Sequence, residues 1–250
     1  MFKEYGELST KLYQLKYPPG HSLGGDMLYY TQQLAGMPGP VLEAGVGTGR
    51  MLVPLLRQGL DVDGVDLSPD MLKQCKANLS QNRLQTNLYN QDLTKLKLPR
   101  KYGAIIMPTG SFCLLPRDVV KAALVGFYNH LLPGGKFVFD AIFPDDFKKG
   151  ETFCKTYPLE DGAGILYTNF SDEIDWVEQK TSHVIRYELV KDGEVQKAEL
   201  SGFTLYWYGM WELEMLLENA GFVDIKSEFG YGKDEDKSVL TFFATKGTDT

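Results

Sequence analysis

The stretch "VLEAGVGTGRM", residues 41–51, decides the fold. Apolar and small residues enclose Glu43 and read as a short buried strand. Gly at 45, 47 and 49 then breaks the strand into a tight loop, and the spacing predicts a helix over about 48–58. A strand, a glycine loop and a helix together bring backbone amides close to a nucleotide-like ligand. The spacing excludes two common loops of this kind. A dinucleotide fingerprint is G-x-G-x-x-G, and Arg50 stands where its third glycine would fall. A P-loop needs Gly-Lys-Ser/Thr, which does not follow.

Outward from this loop, strands and helices alternate. "DVDGVDL" reads as a strand ending at Asp66, and Ser68-Pro69-Asp70 opens a helix with an N-cap Ser, an early Pro and an acid at the positive dipole end. Strands are expected near 86–90, at 102–107 and at 136–143, with a helix at about 117–131 stopped by Pro133-Gly134-Gly135. Alternation of this kind implies a parallel sheet with right-handed crossovers. Upstream, residues 1–25 read as a short helix and a loop, and Asp26 as the cap of a helix to about 35.

The pattern changes at about 144. Long alternating runs over 163–208 and an Asp192-Gly193 turn predict an antiparallel insert. A last helix at about 209–220 leads into "FVDIKSEF" and "SVLTFFAT", two strands able to pair at a sheet edge. The expected architecture is α/β: a Rossmann-like, doubly wound, seven-stranded sheet with an antiparallel edge and an antiparallel β cap before the last helix. Its parts would be an N-terminal lid segment (1–37), a cofactor-binding core (38–143 and 209–250) and the cap (144–208).

Composition bounds the function. The 250 residues carry a net charge of −7, which disfavours nonspecific contact with phosphate backbones. Lys95, Lys97, Arg100 and Lys101 gather in what reads as a solvated loop. The three cysteines show no metal or disulfide spacing, no apolar run approaches a membrane span, and Met1-Phe2-Lys3-Glu4 opens no signal peptide. A cytoplasmic protein is expected, monomeric or homodimeric, and the sequons at Asn78 and Asn169 carry little meaning there.

Asp66, 17 residues after Gly49, is placed to accept hydrogen bonds from ribose hydroxyls. Asp92 follows the third strand, where it can accept from an adenine amine with Leu67 and Leu93 flanking the ring. Taken together, Glu43-x-Gly45-x-Gly47-x-Gly49, Asp66 with "LSPDML", "QDL" at 91–93 and "LLPGGKFVFD" at 131–140 resemble the class I S-adenosylmethionine-dependent methyltransferases. The resemblance covers residues 38–142 and the C-terminal hairpin. It implies that Glu43 and the 45–49 backbone face the methionine end of S-adenosylmethionine and that Asp66 holds the ribose with Met71 nearby. Asp92 and Leu93 would then bind the adenine, and Met107, Pro108 and Thr109 would line the sulfonium. A cationic cofactor without phosphate needs a close backbone and carboxylates, not a Lys.

Methyl transfer is an in-line displacement in which the protein aligns the nucleophile and excludes water. His21 and Tyr13 are the catalytic candidates, from an N-terminal segment that in this family often folds over the cofactor. Phe112, Tyr206 and Tyr208 are the substrate-cavity candidates, while His130 and His183 read as structural. A cap over the site and the absence of an Asn/Asp-Pro-Pro-Tyr motif favour N- or O-methylation of a small molecule. Alternatives are a non-catalytic S-adenosylmethionine-binding protein, a protein or RNA methyltransferase, and a nicotinamide-dependent oxidoreductase, against which Arg50 and Asp92 speak.

Overall fold

The computed structural model describes residues 5–160, 162–233 and 237–248. Two helices, α1 (Glu7–Lys16) and α2 (Asp26–Leu34), precede β1 (Val41–Ala44), α3 (Leu52–Arg57), β2 (Val62–Asp66), α4 (Pro69–Gln81), β3 (Leu88–Asn90), β4 (Tyr102–Met107), α5 (Val120–His130) and β5 (Leu131–Ile142). Four further strands follow: β6 (Thr152–Pro158), β7 (Gly164–Asp175), β8 (Lys180–Lys191) and β9 (Glu194–Tyr206). The chain closes with α6 (Met210–Asn219), β10 (Phe222–Phe229) and β11 (Val239–Lys246).

One sheet has seven strands in the order β10-β11-β5-β4-β1-β2-β3, with β11 antiparallel to both neighbours and the remaining pairs parallel. The chain runs from β1 outward to β2 and β3, then returns to β4 on the other side. The carboxyl ends of β1 and β4 therefore flank the switch point, where ligands of such sheets bind. The central strands read "VLEA" and "YGAIIM" and are buried throughout, as sheet faces covered by helices require. A second sheet, β6-β7-β8-β9, is entirely antiparallel. Asp192 and Gly193 both take positive φ (52° and 79°) in its β8–β9 turn, the geometry that Asp-Gly favours.

Several boundaries moved for identifiable reasons. Helix α3 starts at Leu52 rather than near 48, because Gly47 and Gly49 stand at φ 53° and 82° and cannot belong to a right-handed helix. The cap of α2 is Gly25, and Asp26 is the first helical residue, turned inward to a buried ion pair. Strand β5 begins at Leu131, and its register with β4 shifts between Tyr102 and Ala104, so Pro133-Gly134-Gly135 forms an irregular entry to the strand. Strand β6, "TFCKTYP", was not foreseen; it is a solvated edge with nearly every residue exposed, so it lacks an apolar alternation.

Candidate active site

The glycine loop is shaped by backbone bonds to the neighbouring strand. The amides of Gly45 and Val46 both donate to the Val65 carbonyl, at 2.8 and 3.0 Å. Gly47 N–H then donates to Asp66 Oδ2 at 2.8 Å, while Ser68 N–H donates to Asp66 Oδ1 at 2.8 Å. Each oxygen keeps a second lone-pair direction for a ligand. A Cβ at Gly49 would meet Cys75 Sγ at 2.8 Å, so helix and loop pack too closely for any other residue. Nothing lies within 4 Å of where a Cβ would stand at Gly47; that side of the loop is open.

The other expected cofactor residues differ in their exposure. Leu67 is exposed at 64%, Leu93 is half-buried, and Met71 is buried under the first turn of α4. Asp92 caps the turn after β3, its Oδ1 accepting from Thr94 N–H (2.8 Å) and Thr94 Oγ1 (2.7 Å). The Thr94 amide holds its carboxyl below the usual range.

Glu43 lies behind the loop, 3% exposed, and its Oε2 has no hydrogen-bond partner among the described residues. Burial pushes its pKa up to about 8; the nearby Asp66 adds to this and Arg50 opposes it. A buried carboxylate with one oxygen unpartnered, a second carboxylate on the rim and an open Gly47 together match a ligand that carries an ammonium and ribose hydroxyls.

The loop after β4 presents its backbone rather than its side chains. Met107 is 2% exposed and packs into the main core, and Pro108 is buried. Thr109 adopts φ 56°, unusual for a β-branched residue, and its N–H donates to Asp140 Oδ2 at 2.6 Å. Asp140 is fully buried and accepts three further bonds, from Tyr30, Thr241 and Tyr231 hydroxyls. Burial raises its pKa to about 6.

Two substrate candidates are corrected here. Phe112 is fully buried, 4.3 Å from the Phe139 ring and 5.5 Å from Tyr208. Tyr208 is also fully buried, its hydroxyl donating to the Leu115 carbonyl at 2.9 Å. Strand β9 ends at Tyr206, so Tyr206 and Tyr208 do not share a strand face; Tyr206 alone reaches a cavity.

The N-terminal segment is tied to the glycine loop through Arg50. Its guanidinium donates to Asp26 Oδ2 at 2.5 Å and to the His21 carbonyl at 2.7 Å, and it hydrogen-bonds the Tyr13 hydroxyl. Arg50 is buried, at 4% exposure. Burial raises the Tyr13 pKa. His21 itself is exposed, its ring 5.5 Å from Tyr17, and lines neither cavity of the cap. Its carbonyl, not its imidazole, serves the site.

Two cavities lie under the cap. The larger, about 390 Å³, is walled by Tyr13 and Tyr17 of the N-terminal segment and by Tyr167, Tyr187 and Phe203 of the cap sheet. The smaller, about 220 Å³, runs between the 142–147 segment and the strands carrying Thr181 and Tyr206. Asp146, Asn169, His183 and Leu205 line both.

Comparison with known proteins agrees with this geometry. Residues 41–135 match the methyltransferase-domain family. A protein of Geobacillus sp. (strain WCH70) with a provisional methyltransferase name is 23% identical over 226 residues, 82% of this chain and 83% of that one. The dTDP-3-amino-3,4,6-trideoxy-alpha-D-glucopyranose N,N-dimethyltransferase of Streptomyces venezuelae is 30% identical over 112 residues, which is 44% of this chain and under half (46%) of that enzyme. An amino pentose methyltransferase from Micromonospora echinaspora, solved with S-adenosylmethionine bound, shares the fold at TM-score 0.71 and 19% identity, over 98% of this chain and 99% of that one. Residues 41–135 are thus a methyltransferase domain, and the chain as a whole carries the fold of the S-adenosylmethionine-bound neighbour.

Two residues of the cavity wall carry no ligand-motif signal in the sequence. His183 was set down as structural, yet it faces both chambers. Asn169 was noticed only as a sequon, and its Oδ1 is buried in the cavity wall. The available signal was the strand alternation that puts Tyr167, Asn169 and Ser171 on one face opposite His183, Ile185 and Tyr187. His130 is structural as expected, but through specific bonds: Nδ1–H donates to the Gly126 carbonyl at 2.7 Å and Nε2 accepts from Leu98 N–H at 3.1 Å.

Proposed function

We propose that the enzyme methylates a nitrogen or oxygen of a small molecule held under the cap, acting in the cytoplasm as a monomer or homodimer. Bound cofactor supplies an electrophilic methyl on a sulfonium. Glu43 and the open side of Gly47 would receive the methionine ammonium and backbone. Asp66 would take the ribose hydroxyls, and Leu67, Asp92 and Leu93 the adenine. The backbone of 107–109 would border the sulfonium. The observation that carries the reading is the place of Tyr13. It bonds Arg50, beside Glu43, and also lines the larger cavity, so one side chain touches both the cofactor end and the acceptor end.

With its pKa raised by burial, Tyr13 stays protonated at neutral pH and acts by orienting the nucleophile's lone pair, not by taking its proton. The net charge of −7 disfavours a nucleic acid as the acceptor. The S. venezuelae relative's action on an amino sugar supports an amine as the attacked group. The test is a panel of amines and alcohols incubated with S-adenosylmethionine, with S-adenosylhomocysteine as readout. Tyr13→Phe should lower kcat while leaving cofactor affinity unchanged. No turnover on any small molecule, with turnover on RNA or protein, would overturn the reading.

A further inference from the structure

The wall between the two cap chambers is built around two polar atoms that the fold leaves unused. Asn169 Oδ1 and His183 Nδ1 are both buried, and neither has a hydrogen-bond partner among the described residues. A buried polar atom without a hydrogen bond is costly to leave so, and two in one wall point to a ligand that satisfies them. They are neighbours by construction: β7 and β8 pair Asn169 with Ile185 and Ser171 with His183, which sets both side chains on the inner face. Burial lowers the His183 pKa, against the pull of Asp146, so at pH 7 the imidazole is neutral and can accept a bond.

On the same face the sheet turns aromatic. Tyr167 and Tyr187 meet edge-on at 5.5 Å, and Phe203 lies 6.5 Å from the His183 ring. The charges are lopsided. Asp146 and Glu151 line the chambers, and among the described residues the cation lining them is Lys16, whose ammonium sits over the Tyr17 ring at 4.9 Å. A diphosphate calls for several cationic, preferably bidentate, partners; this wall offers carboxylates.

Building on the small-molecule reading above, we infer that the cap is a recognition site for a compact, uncharged or cationic acceptor. Such an acceptor has a ring-like apolar body that packs on Tyr167, Tyr187 and Phe203 and donates hydroxyl or amine hydrogens to Asn169 Oδ1 and His183 Nδ1. A nucleotide-diphosphate-linked sugar, the form named for the S. venezuelae relative, is excluded by the same charges.

The protein has three histidines, so the imidazole signal of His183 is assignable by comparison with His183→Phe. The full chain, saturated with S-adenosylhomocysteine, is titrated with trans-4-aminocyclohexanol, cyclohexanecarboxylate and thymidine diphosphate, following that signal. The amino alcohol should shift it saturably. Asn169→Leu should weaken that binding at least tenfold, while Asn169→Asp, which keeps the acceptor oxygen, should restore it. Unchanged S-adenosylhomocysteine affinity in both variants shows that they fold. Tighter binding of the carboxylate or of thymidine diphosphate at His183, no shift from any of the three, or full binding by Asn169→Leu would each overturn the inference. Failure of the wild-type chain to bind S-adenosylhomocysteine at all would instead strike the cofactor reading on which it rests.

Discussion

Glu199 and Ser9 stand 190 positions apart and meet at 2.7 Å, Ser9 Oγ donating to Glu199 Oε1. The same carboxylate accepts from the amides of Leu8 (2.9 Å) and Ser9 (3.2 Å), so a cap strand supplies the N-terminal cap of α1. A Cβ on Gly6 would strike this carboxylate at 2.6 Å, which explains a glycine there without any need for unusual φ. Removing a cap of this kind costs about 0.5–2 kcal/mol. Glu199→Ala should therefore lower thermal stability modestly and weaken acceptor binding more than S-adenosylhomocysteine binding. Calorimetry on both ligands checks it; equal loss for both would mean that α1 does not separate the two.

Cofactor binding should release a proton. Glu43 has a folded pKa of about 8, above its ordinary value, so at pH 7 most of the population is protonated. An ammonium placed beside it lowers that pKa, and the proton leaves. S-adenosylhomocysteine titrations in buffers of different ionisation enthalpy should show close to one proton released at pH 7. Glu43→Gln should abolish the release. The sign also fixes the ligand-free stability: a raised folded pKa means stability falls as pH climbs from about 4.5 to 8.

Asp66 shapes the loop through Gly47 and Ser68 and, in the proposal above, would also take the ribose hydroxyls. Asp66→Ala should weaken cofactor binding by about 1–3 kcal/mol, the usual loss for buried hydrogen bonds. Asp66→Asn, which keeps one acceptor, should fall between. An affinity unchanged in Asp66→Ala, measured by calorimetry, would place the ribose elsewhere.

Arg50 and Asp26 form a buried pair at 2.5 Å, with side chains 5% and 0% exposed. Breaking such a pair from one side typically costs about 3–5 kcal/mol, because the remaining charge stays buried. Arg50→Met should destabilise the protein by that order in denaturant melts. Pairing it with Asp26→Leu should recover much of the loss. A double variant no better than the single would show that the His21 carbonyl and Tyr13 contacts matter more.

Asp140 accepts four donors and holds Thr109 in its left-handed conformation. Asp140→Asn replaces one oxygen that accepts two of those donors by an amide group, so hydroxyl partners must turn and accept instead, and it should cost about 1–3 kcal/mol. Methyl transfer should fall by more than stability alone explains, since the 107–109 backbone would lose its anchor. Normal turnover in a folded Asp140→Asn protein would show that the loop is held by other means.

Much of the cofactor half was legible because its chemistry is local. The glycine spacing, Asp66 at a strand end and Ser68 as N-cap each act within a few residues, and Ser68 Oγ does accept from Met71 N–H at 3.2 Å. The acceptor half was less so, because it is assembled at long range. Phe112 and Tyr208 look like any aromatic near a site, and only the packing of α5 and α6 against β5 buries them. Asn169 and His183 acquire meaning from strand register, and Glu199 from a partner 190 residues away, neither of which a short motif encodes.

Helix α1 touches both halves of the molecule. Glu199 grips its first turn from the cap, while Gln14 near its other end exchanges hydrogen bonds with Asn78, whose Nδ2 also donates to the Thr48 carbonyl in the glycine loop. A single ten-residue element would thus be a shared wall between the proposed cofactor and acceptor sites. A ligand that orders the wall from one side has met part of the ordering cost for the ligand on the other. The two affinities are then linked, and by reciprocity each is raised by the same factor when the other site fills.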